Sequence, residues 1–497
     1  MNQRAISSGV EHYIDIVGVT GSNPVSPISL PGTDLMPSSV VVGLGRSGVG
    51  AARLLRSQGH RVTVLESQQS EPQQRIASEL RQQGVEVRLG CALSPDPFLS
   101  WDESLDQVVL SPGIAWDHPV MQGLRDRGIA VCGEMTVAWN ALQHVPWIGI
   151  TGTNGKTTVT HLLHHVLSHA GLNAPMAGNV GHSAAELALR CQQPGEEQPD
   201  WVVMEMSSYQ IEAAQQVAPT IGIWTTLTPD HLERHGTLEA YRDIKASLLQ
   251  RSTHAVLNGD DPDLRHHRGA WPDATWVSTQ ANPPFACALS IDEDDWVCNA
   301  AERLFRADAL GLPGDHNRQN MLLVTAAALR AGLNASAIEA GLRSFSGVPH
   351  RLEPLGLLNG MAVFNDSKAT NYDAAAVGLR AVDAPAVVLA GGQTKQGDAS
   401  EWLRLLKDRA CGMVLFGRGA EELHQLICSS GYTGKLQVTD DLAKALPLAC
   451  RVGEEQNAIC LLLSPACASF DQYSDFEARG EHFRSLVNAA RMHQTLE

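Results

Sequence analysis

A glycine-rich segment that ends in a lysine and two threonines carries the clearest chemistry in this sequence. It reads Gly149-Ile-Thr-Gly-Thr-Asn-Gly-Lys-Thr-Thr158 and lies between an apolar run and an amphipathic run. Glycines let the backbone curl so that successive N–H groups point at an anion, and a helix starting there adds its positive dipole end. Lys156 would reach terminal phosphates, and the Thr157 hydroxyl would bind Mg²⁺. The segment therefore predicts a binding loop for ATP or GTP.

One position departs from the usual pattern of such loops. Ile150 stands where the pattern has its first glycine, and the glycines fall instead at Gly149 and Gly152. A chance Gly-Lys-Thr in an ordinary loop is the alternative, but the strand before the segment and the helix after it favour the functional interpretation. We assign the nucleotide contacts to Gly152, Thr153, Asn154, Gly155, Lys156, Thr157 and Thr158.

Two more polar residues follow apolar strands of the same region. Glu205 ends the run Trp201–Met204, where an acid could hold the nucleotide Mg²⁺ directly or through water. His231 lies in the loop after the next strand, and open α/β sheets place ligand sites at such strand ends. A lone loop histidine ordinarily makes hydrogen bonds only, yet its place beside the phosphate loop favours a functional role. Lys245, in a helical pattern, reads on its own as a solvated surface lysine.

Several residues farther along the chain fit two roles equally well. Asn317 and Asn320 lie at the start of a predicted helix, and Asn317 would serve as an ordinary N-cap. Arg351 follows a predicted domain boundary. In the segment Asp366-Ser-Lys-Ala-Thr-Asn371, which follows a strand, Asp366, Ser367 or Thr370 could cap the next helix. Taken alone, these residues leave helix capping and ligand binding equally open.

The first good strand leads into a second glycine-rich loop. Gly43-Leu-Gly-Arg-Ser-Gly48, with Glu66 at the end of the following strand, formally matches a dinucleotide-binding fingerprint. The match is weak, because the same loop holds other pyrophosphates and a domain of roughly 100 residues leaves little room for a full dinucleotide fold.

Alternating strands and helices predict an α/β protein of three successive domains. Residues 36–143 read as a Rossmann-like domain, 144–348 as a central P-loop ATPase-type α/β domain, and 349–497 as a second Rossmann-like domain with a parallel doubly wound sheet. Residues 1–35 are rich in Ser, Gly, Pro and Asn. We interpret them as an N-terminal extension, either a disordered tail or the product of a start placed upstream of Met36.

The bulk composition excludes several classes of protein. The chain has 497 residues and a formal net charge of −17, which argues against a general nucleic-acid-binding protein. Its 10 cysteines include no C-x-x-C pair, so neither a zinc ribbon nor a disulfide framework is indicated. No apolar run approaches the roughly 20 residues of a membrane span. We expect a cytoplasmic monomer that binds neither nucleic acid nor a membrane.

Taken together, these motifs resemble the Mur ligase family, in which the loop variant with Ile150 is usual. The resemblance runs from Met36 to the C-terminus and rests on Thr151–Thr158, Glu205-Met-Ser-Ser208, Asp230-His231, His316-Asn-x-x-Asn320, His350-Arg351 and Asp366–Thr370. Further segments are similar to the branch of the family that adds D-glutamate: Val42–Gly48, Asn365–Asn371, Gly391–Lys395, Leu463–Tyr473 and Phe476–Gly480.

The resemblance implies a reaction and its cofactors. D-Glutamate would be added to UDP-N-acetylmuramoyl-L-alanine at the expense of ATP, through an acyl phosphate, in the cytoplasmic phase of peptidoglycan synthesis. Two Mg²⁺ ions would assist, the first held by Glu205 and the second by His231. Thr157 would also bind Mg²⁺, and Lys245 would be carbamylated by CO₂ so that its new carboxylate supports the second ion. His231 could instead serve as the base for the attacking amine.

The resemblance also implies which residues surround each substrate. The UDP moiety would be held by Arg46, Ser47, Glu66, Ser111 and Gly113, among which Glu66 is a looser match. Asn179 would contact the muramoyl side, and Lys368 the phosphates. The nucleotide would be surrounded by Asn317, Asn320, Arg351 and Asp366. D-Glutamate would be bound by Thr370, Lys395, Ser469 and Phe476.

Three alternative functions remain open at this point. A neighbouring Mur-type ligase would add another amino acid, or glutamate to folate; the Ser469–Phe476 segment argues against it. An NAD-dependent oxidoreductase built on Gly43–Gly48 would leave the phosphate loop without a role. A nucleotide-switched binding protein would bind nucleotide but show no substrate-dependent turnover.

Overall fold

The structure, a computed structural model, describes residues 36–99, 105–300, 302–312, 314–394 and 397–494. The predicted N-terminal extension, residues 1–35, and the predicted site residue Lys395 lie outside the described residues. The described chain forms three β-sheets, and α-helices connect most of their strands. The predicted α/β class is therefore confirmed.

The first sheet has five parallel strands in the order β3-β2-β1-β4-β5. Valines of β1 alternate between its two faces, Val41 in one apolar cluster and Val40 and Val42 in another, as the two-residue period of a strand requires. The elements are β1 Ser38–Val42, α1 Arg46–Ser57, β2 Arg61–Glu66, α2 Glu71–Gln82, β3 Glu86–Leu89, α3 Asp96–Leu99, β4 Gln107–Leu110, α4 Pro119–Asp126, β5 Ala130–Gly133 and α5 Glu134–Leu142.

The second sheet has nine strands in the order β14-β13-β12-β11-β10-β9-β6-β8-β7, parallel except for the hairpin pairings of β12, β13 and β14. Its elements are β6 Trp147–Thr151, α6 Lys156–His169, β7 Met176–Gly178, α7 Ala184–Cys191, β8 Val202–Glu205, α8 Ser208–Glu212, β9 Ile221–Trp224, α9 Leu232–His235, α10 Leu238–Arg251, β10 His254–Asn258, α11 Pro262–His266, β11 Thr275–Ser278, β12 Leu289–Ile291, β13 Trp296–Asn299, β14 Glu302–Arg306, α12 Asp315–Arg330 and α13 Ala335–Ser344.

The third sheet has six strands in the order β15-β16-β20-β17-β18-β19. The expectation of a purely parallel sheet is wrong here, because β15 pairs antiparallel with β16 through the short turn at Asn359-Gly360. Its elements are β15 Glu353–Leu358, β16 Met361–Asn365, α14 Tyr372–Ala381, β17 Ala386–Gly391, α15 Ser400–Arg409, β18 Ala410–Phe416, α16 Ala420–Ser429, β19 Lys435–Val438, α17 Leu442–Glu455, β20 Cys460–Leu463 and α18 Phe476–Gln494.

The first two sheets share one hydrophobic core. A single apolar cluster extends from Val41 in β1 to Trp276 in β11, and helices α1 and α5 of the first domain pack against α7 of the second. Gly50 makes this approach possible, since a Cβ there would lie 2.2 Å from Ser183 Oγ. The third domain has two clusters of its own. The first two domains are therefore packed as one unit.

A buried acid lies in this shared interface. Glu134, the first residue of α5, is only 2% exposed, and its Oε1 accepts a hydrogen bond from the Ala185 N–H at 2.5 Å. Burial raises the pKa of Glu134 to about 7, and nearby Glu186 adds to that rise, while the Ala185 N–H, the Ser183 hydroxyl and the charge of Arg46 oppose it.

Replacing Glu134 by Gln should change how stability depends on pH. The Glu134 carboxyl binds a proton more tightly in the folded chain than in the unfolded chain. The wild type therefore loses stability as pH rises from about 4.5 towards 7, and the loss in the free energy of unfolding is about 3 kcal/mol at most. Glutamine does not titrate. The melting temperature of Glu134→Gln relative to wild type should therefore rise between pH 5 and pH 8. Thermal unfolding followed by circular dichroism measures this, with the exposed acid substitution Glu239→Gln as the control; an unchanged difference contradicts the expectation.

Candidate active site

A cavity of about 1070 Å³ collects residues from all three domains. This volume lies just above the usual range for small-molecule sites, roughly 300–1,000 Å³. The predicted site residues among its lining are Arg46, Thr153, Asn154, Gly155, Lys156, Thr157, Asn179, Glu205, Arg351, Lys368, Thr370, Ser469 and Phe476. Side chains predicted for nucleotide, muramoyl and amino-acid contacts thus face one space.

The phosphate loop connects β6 to α6 in the predicted strand–loop–helix setting. Gly152 and Gly155 adopt φ values of 145° and 84°, a region that favours glycine. Gly155 occupies the N-cap position of α6, where no side chain caps the helix. The N–H groups of the first helical turn therefore have no side-chain acceptor at the cap, which suits an anion-binding helix start.

The loop is fastened to the segment that follows β9. Thr153 N–H donates to Thr226 O at 2.8 Å, and Asn154 N–H donates to Thr226 Oγ1 at 2.9 Å. Thr228 N–H donates in turn to Thr153 Oγ1 at 3.1 Å. These bonds fix the loop in a preformed shape, so little ordering is needed when phosphates bind.

Two lysines from different domains meet at this loop. Lys156 Nζ donates to the carbonyls of Gly152 and Thr153 at 2.9 and 2.8 Å. Lys368 Nζ, which follows β16, reaches across the domain boundary to Thr157 Oγ1 at 3.3 Å. Burial lowers the pKa of both lysines, and the nearby Glu205 carboxylate opposes that shift. The third domain therefore supplies a cation to the phosphate loop of the second.

Glu205 has an oxygen free for a cation. The residue ends β8 and is 2% exposed; Oε1 accepts from Asn179 Nδ2 at 3.0 Å, whereas Oε2 is buried without a hydrogen-bond partner among the described residues. A buried unpaired carboxylate oxygen in the same cavity as Thr157 fits Mg²⁺. In the described ranges, no three His, Cys, Asp or Glu side chains form a metal-binding cluster. That is compatible with Mg²⁺, which keeps waters and substrate phosphates as ligands.

Lys245 lies under the phosphate loop, not on the surface. It is 1% exposed, and Nζ donates to Gly152 O at 3.0 Å and to Thr151 Oγ1 at 3.3 Å. Burial, followed by the charge of Lys156, lowers the pKa of Lys245 well below its usual value. The expectation of a solvated lysine is wrong because α10 packs this face against the loop, a contact that a helical pattern does not reveal.

His231 lies outside the cavity lining, as do Lys245, Asn317, Asn320 and Asp366. Its side chain is 44% exposed, 3.5 Å from Asp230 and 3.7 Å from Glu233, and its ring centroid is 5.3 Å from that of Tyr209. The predicted role of His231 at a second Mg²⁺ stays a prediction.

The two asparagines lie in the first turns of α12. Gly314 is the N-cap of this helix, so the capping alternative for Asn317 is wrong. Asn320 is 5% exposed and packs on the loop, since a Cβ at Gly155 would lie 2.8 Å from its Oδ1. Asn320 Nδ2 donates to Asn317 Oδ1 at 3.4 Å. The pair is thus placed behind the phosphate loop.

The capping alternatives after β16 are also wrong. Asn371 caps α14 by accepting the Ala374 N–H, and this leaves Asp366, Ser367 and Thr370 for other roles. Asp366 is 5% exposed and accepts from Leu352 N–H and Ser464 Oγ, both at 3.2 Å. Burial raises the pKa of Asp366 to about 7, and Arg351 opposes that rise.

A second cavity, of about 550 Å³, adjoins the first at Leu44, Gly45 and Arg46. The predicted residues on its walls are Arg46, Ser47, Glu66, Ser111 and Gly113. Glu66 accepts from the N–H groups of Leu44 at 2.8 Å and Gln68 at 2.9 Å, so it also shapes the glycine loop. The two adjoining cavities suit one long ligand.

Sequence reasoning missed several residues of the main cavity. They are Val49, Arg53, Ile76, Val180, Glu186, Phe470, Asp475 and Glu477. Most belong to ordinary helical patterns, which carry no signal for a binding wall. Phe470 is adjacent to the predicted Ser469 and is 68% exposed, but exposure of an aromatic side chain cannot be read from sequence.

Comparisons with known proteins agree with this geometry. Residues 37–133 match the family model of the Mur ligase MurD-like N-terminal domain, and residues 150–328 match that of the Mur ligase middle domain. UDP-N-acetylmuramoylalanine–D-glutamate ligase from Parasynechococcus marenigrum (strain WH8102) is 61% identical over 455 residues, which is 91% of this chain and 98% of that protein. The chain belongs to the Mur ligase family.

Other relatives support the assignment to Mur ligases. The protein of the same name from Prochlorococcus marinus (strain MIT 9313) is 61% identical over 456 residues, 91% of this chain and 99% of that protein. Among solved structures, UDP-N-acetylmuramate-alanine ligase from Thermotoga maritima matches with a TM-score of 0.54 at 18% identity, covering 93% of this chain and 100% of that one. That similarity shows the shared fold.

Substituting Thr226 by Val tests the preformed phosphate loop of this Mur ligase. Valine keeps the shape but removes the hydroxyl that accepts the Asn154 N–H. We expect ATP to bind about 2- to 10-fold more weakly, the value of one ordinary hydrogen bond. Calorimetric titration with ATP measures this. The control is Thr275→Val, which removes a hydroxyl on the distant strand β11 and should bind ATP as the wild type does. Equal ATP affinity in the two variants argues against a role of Thr226 in holding the phosphate loop.

Proposed function

We propose that this Mur ligase joins D-glutamate to UDP-N-acetylmuramoyl-L-alanine and converts ATP to ADP and phosphate. The observation that carries the proposal is the shared cavity, in which the phosphate loop meets Arg46 from the first domain and the Ser469–Phe476 segment from the third. The names and near-complete coverage of the similar proteins support the same reaction.

The arrangement answers the main chemical difficulty of the reaction. A carboxylate is a poor electrophile, because its negative charge repels nucleophiles and the phosphates of ATP. Lys156, Lys368 and Arg351 line the space where these anions would meet, and they lower that repulsion. Transfer of the γ-phosphoryl group gives an acyl phosphate, the amine of D-glutamate attacks its carbonyl carbon, and the tetrahedral intermediate collapses to amide and phosphate.

Residues that suit Mg²⁺ lie beside this space. Glu205 and Thr157 would hold one ion, and His231 with a carbamylated Lys245 would hold another. Bound Mg²⁺ would neutralise charge on the transferring phosphoryl group. Of these residues, Glu205 has the strongest support, because its Oε2 is buried and has no hydrogen-bond partner among the described residues.

Carbamylation of Lys245 is supported by its surroundings. The reaction needs a neutral amine, which attacks the carbon of CO₂ and releases one proton as the N–C bond forms. Burial and the charge of Lys156 favour the neutral form, and the hydrogen bonds to Gly152 O and Thr151 Oγ1 hold Nζ at the base of the phosphate loop. The carbamate would turn a buried cation into a carboxylate-like metal ligand.

The remaining substrate contacts follow the cavity walls. The UDP moiety would occupy the smaller cavity, with Asn179 beside the muramoyl group; D-glutamate would contact Thr370, Ser469 and Phe476. Within the described residues, no helix has the length and apolar character needed to cross a bilayer. We place the reaction in the cytoplasm, carried out by a monomer that binds neither nucleic acid nor a membrane.

Phosphate release tests reaction and substrate together. Residues 36–497, incubated with ATP, Mg²⁺ and UDP-N-acetylmuramoyl-L-alanine, should release phosphate with D-glutamate but not with L-glutamate or without an amino acid. A malachite-green assay measures this. Release with a different amino acid would retain the ligase and overturn the specificity. A folded, ATP-binding protein that releases no phosphate would support a nucleotide-switched binding protein instead.

The Lys245→Ala variant tests the carbamate. Removal of the amine should lower kcat by at least about 10-fold, the usual scale for loss of a metal-supporting group. Acetate or another short carboxylic acid should restore part of the activity by supplying the missing carboxylate. Lys407→Ala, at an exposed position on α15, is the control and should not respond to acetate. Full activity in Lys245→Ala without acetate would refute the role.

A further inference from the structure

Glu134 makes a contact between two domains that the ligase reaction does not by itself require. The residue begins α5 of the first domain, and its Oε1 accepts the N–H of Ala185, in the first turn of α7 of the second domain. Ser183 Oγ accepts the N–H of Glu186 in the same turn. A carboxylate from one domain therefore completes the capping of a helix in another.

Helix α7 is preceded by a loop that touches two parts of the active site. In this loop, Gly178–His182, the Asn179 side chain donates to Glu205 Oε1 at 3.0 Å, and its backbone N–H donates to Glu205 O at 3.0 Å. Gly181 O accepts from Arg46 Nη1 at 2.6 Å. The loop thus connects the acid of the proposed metal site to the arginine of the UDP-binding loop.

We propose that Glu134 is a positioning residue for the ligase: by holding the first turn of α7, it fixes the Gly178–His182 loop and so places Asn179 against Glu205 and Gly181 against Arg46. The inference rests on the proposed function, which gives these contacts their meaning. Glu134 does not line either active-site cavity, and its hydrogen-bonded contact with the site runs through the loop.

Stability alone is a poor reason for a carboxylate at this position. Glu134 is 2% exposed, and its Oε2 is buried without a hydrogen-bond partner among the described residues. A buried polar oxygen left unpaired costs free energy, whereas an apolar side chain in this core would not. The contact that Oε1 makes is therefore better explained by the placement of α7 and its preceding loop.

Three substitutions at Glu134 distinguish the effects of side-chain length, side-chain charge and protein stability. Glu134→Gln keeps an oxygen acceptor at the same distance without the charge, whereas Glu134→Asp keeps the charge but is one methylene too short for the Ala185 N–H. Glu134→Ala removes both. Thr136→Val is the matched control, because Thr136 lies on the same helix and its hydroxyl donates across the same interface to Ala213 O at 3.5 Å, away from the loop.

We expect kcat and the KM for UDP-N-acetylmuramoyl-L-alanine to change while the KM for ATP does not. Glu134→Ala and Glu134→Asp should lower kcat about 10-fold and raise KM for UDP-N-acetylmuramoyl-L-alanine, because small displacements of positioning groups cost that much. KM for ATP should stay within about 2-fold, since the phosphate loop is held by other contacts. Glu134→Gln and Thr136→Val should keep kcat within about 3-fold of wild type.

Two results would overturn the inference. One is wild-type kinetics in folded Glu134→Asp and Glu134→Ala. The other is that kcat and both KM values change equally in every variant, Thr136→Val included, and in proportion to the fall in melting temperature. Calorimetric binding of UDP-N-acetylmuramoyl-L-alanine tests the positioning without turnover, and Glu134→Asp should weaken it about 10-fold. If wild type binds this ligand but releases no phosphate with D-glutamate, the proposed reaction fails while the binding data still decide the role of Glu134.

Discussion

The phosphate loop brings lysines from three parts of the chain into a poorly hydrated space. Lys156 comes from the start of α6, Lys245 from α10 and Lys368 from the segment after β16, and burial lowers the pKa of all three. Cations that lose water must find carbonyls, hydroxyls or anions. Here Gly152 O accepts from both Lys156 and Lys245. The surrounding fold holds these groups in place for anionic substrates.

The need to hold these groups in place explains why the first two domains pack together and the third packs separately. The first two share a hydrophobic core, so the UDP-binding loop, the Gly178–His182 loop and the phosphate loop keep a fixed relation to one another. The third domain packs around its own clusters and meets the phosphate loop through Lys368. A domain with a separate core and polar contacts to its neighbour is suited to close over substrates and open to release product. Glu205 contacts the first of these units through Asn179, and its charge acts on Lys368 of the third domain.

Much of this organisation was readable from the sequence, because it depends on local patterns. The strand–loop–helix setting of Lys156 and the strand-end position of Glu205 follow from short-range periodicity and glycine spacing. The burial of Lys245 depends on how α10 packs against a loop 93 residues earlier in the chain, and no local pattern encodes that. The antiparallel β15 was missed because Pro354 and Gly356 interrupt its short apolar sequence and weaken the strand pattern. The sequence indicates only that Glu134 is an acid in the first turn of a helix, and its contact with Ala185 is seen only in the folded chain.

The overall charge adds a final constraint on how substrates reach the site. With a net charge of −17, the field of the whole protein repels ATP and a UDP-linked substrate. Attraction must come from the cations on the cavity walls, namely Arg46, Arg53, Lys156, Arg351 and Lys368. These act at short range, within roughly one Debye length of about 8 Å at physiological salt. The site therefore recognises its anions after they enter the cavity. The shape of the two adjoining cavities, more than long-range steering, determines which anions can bind.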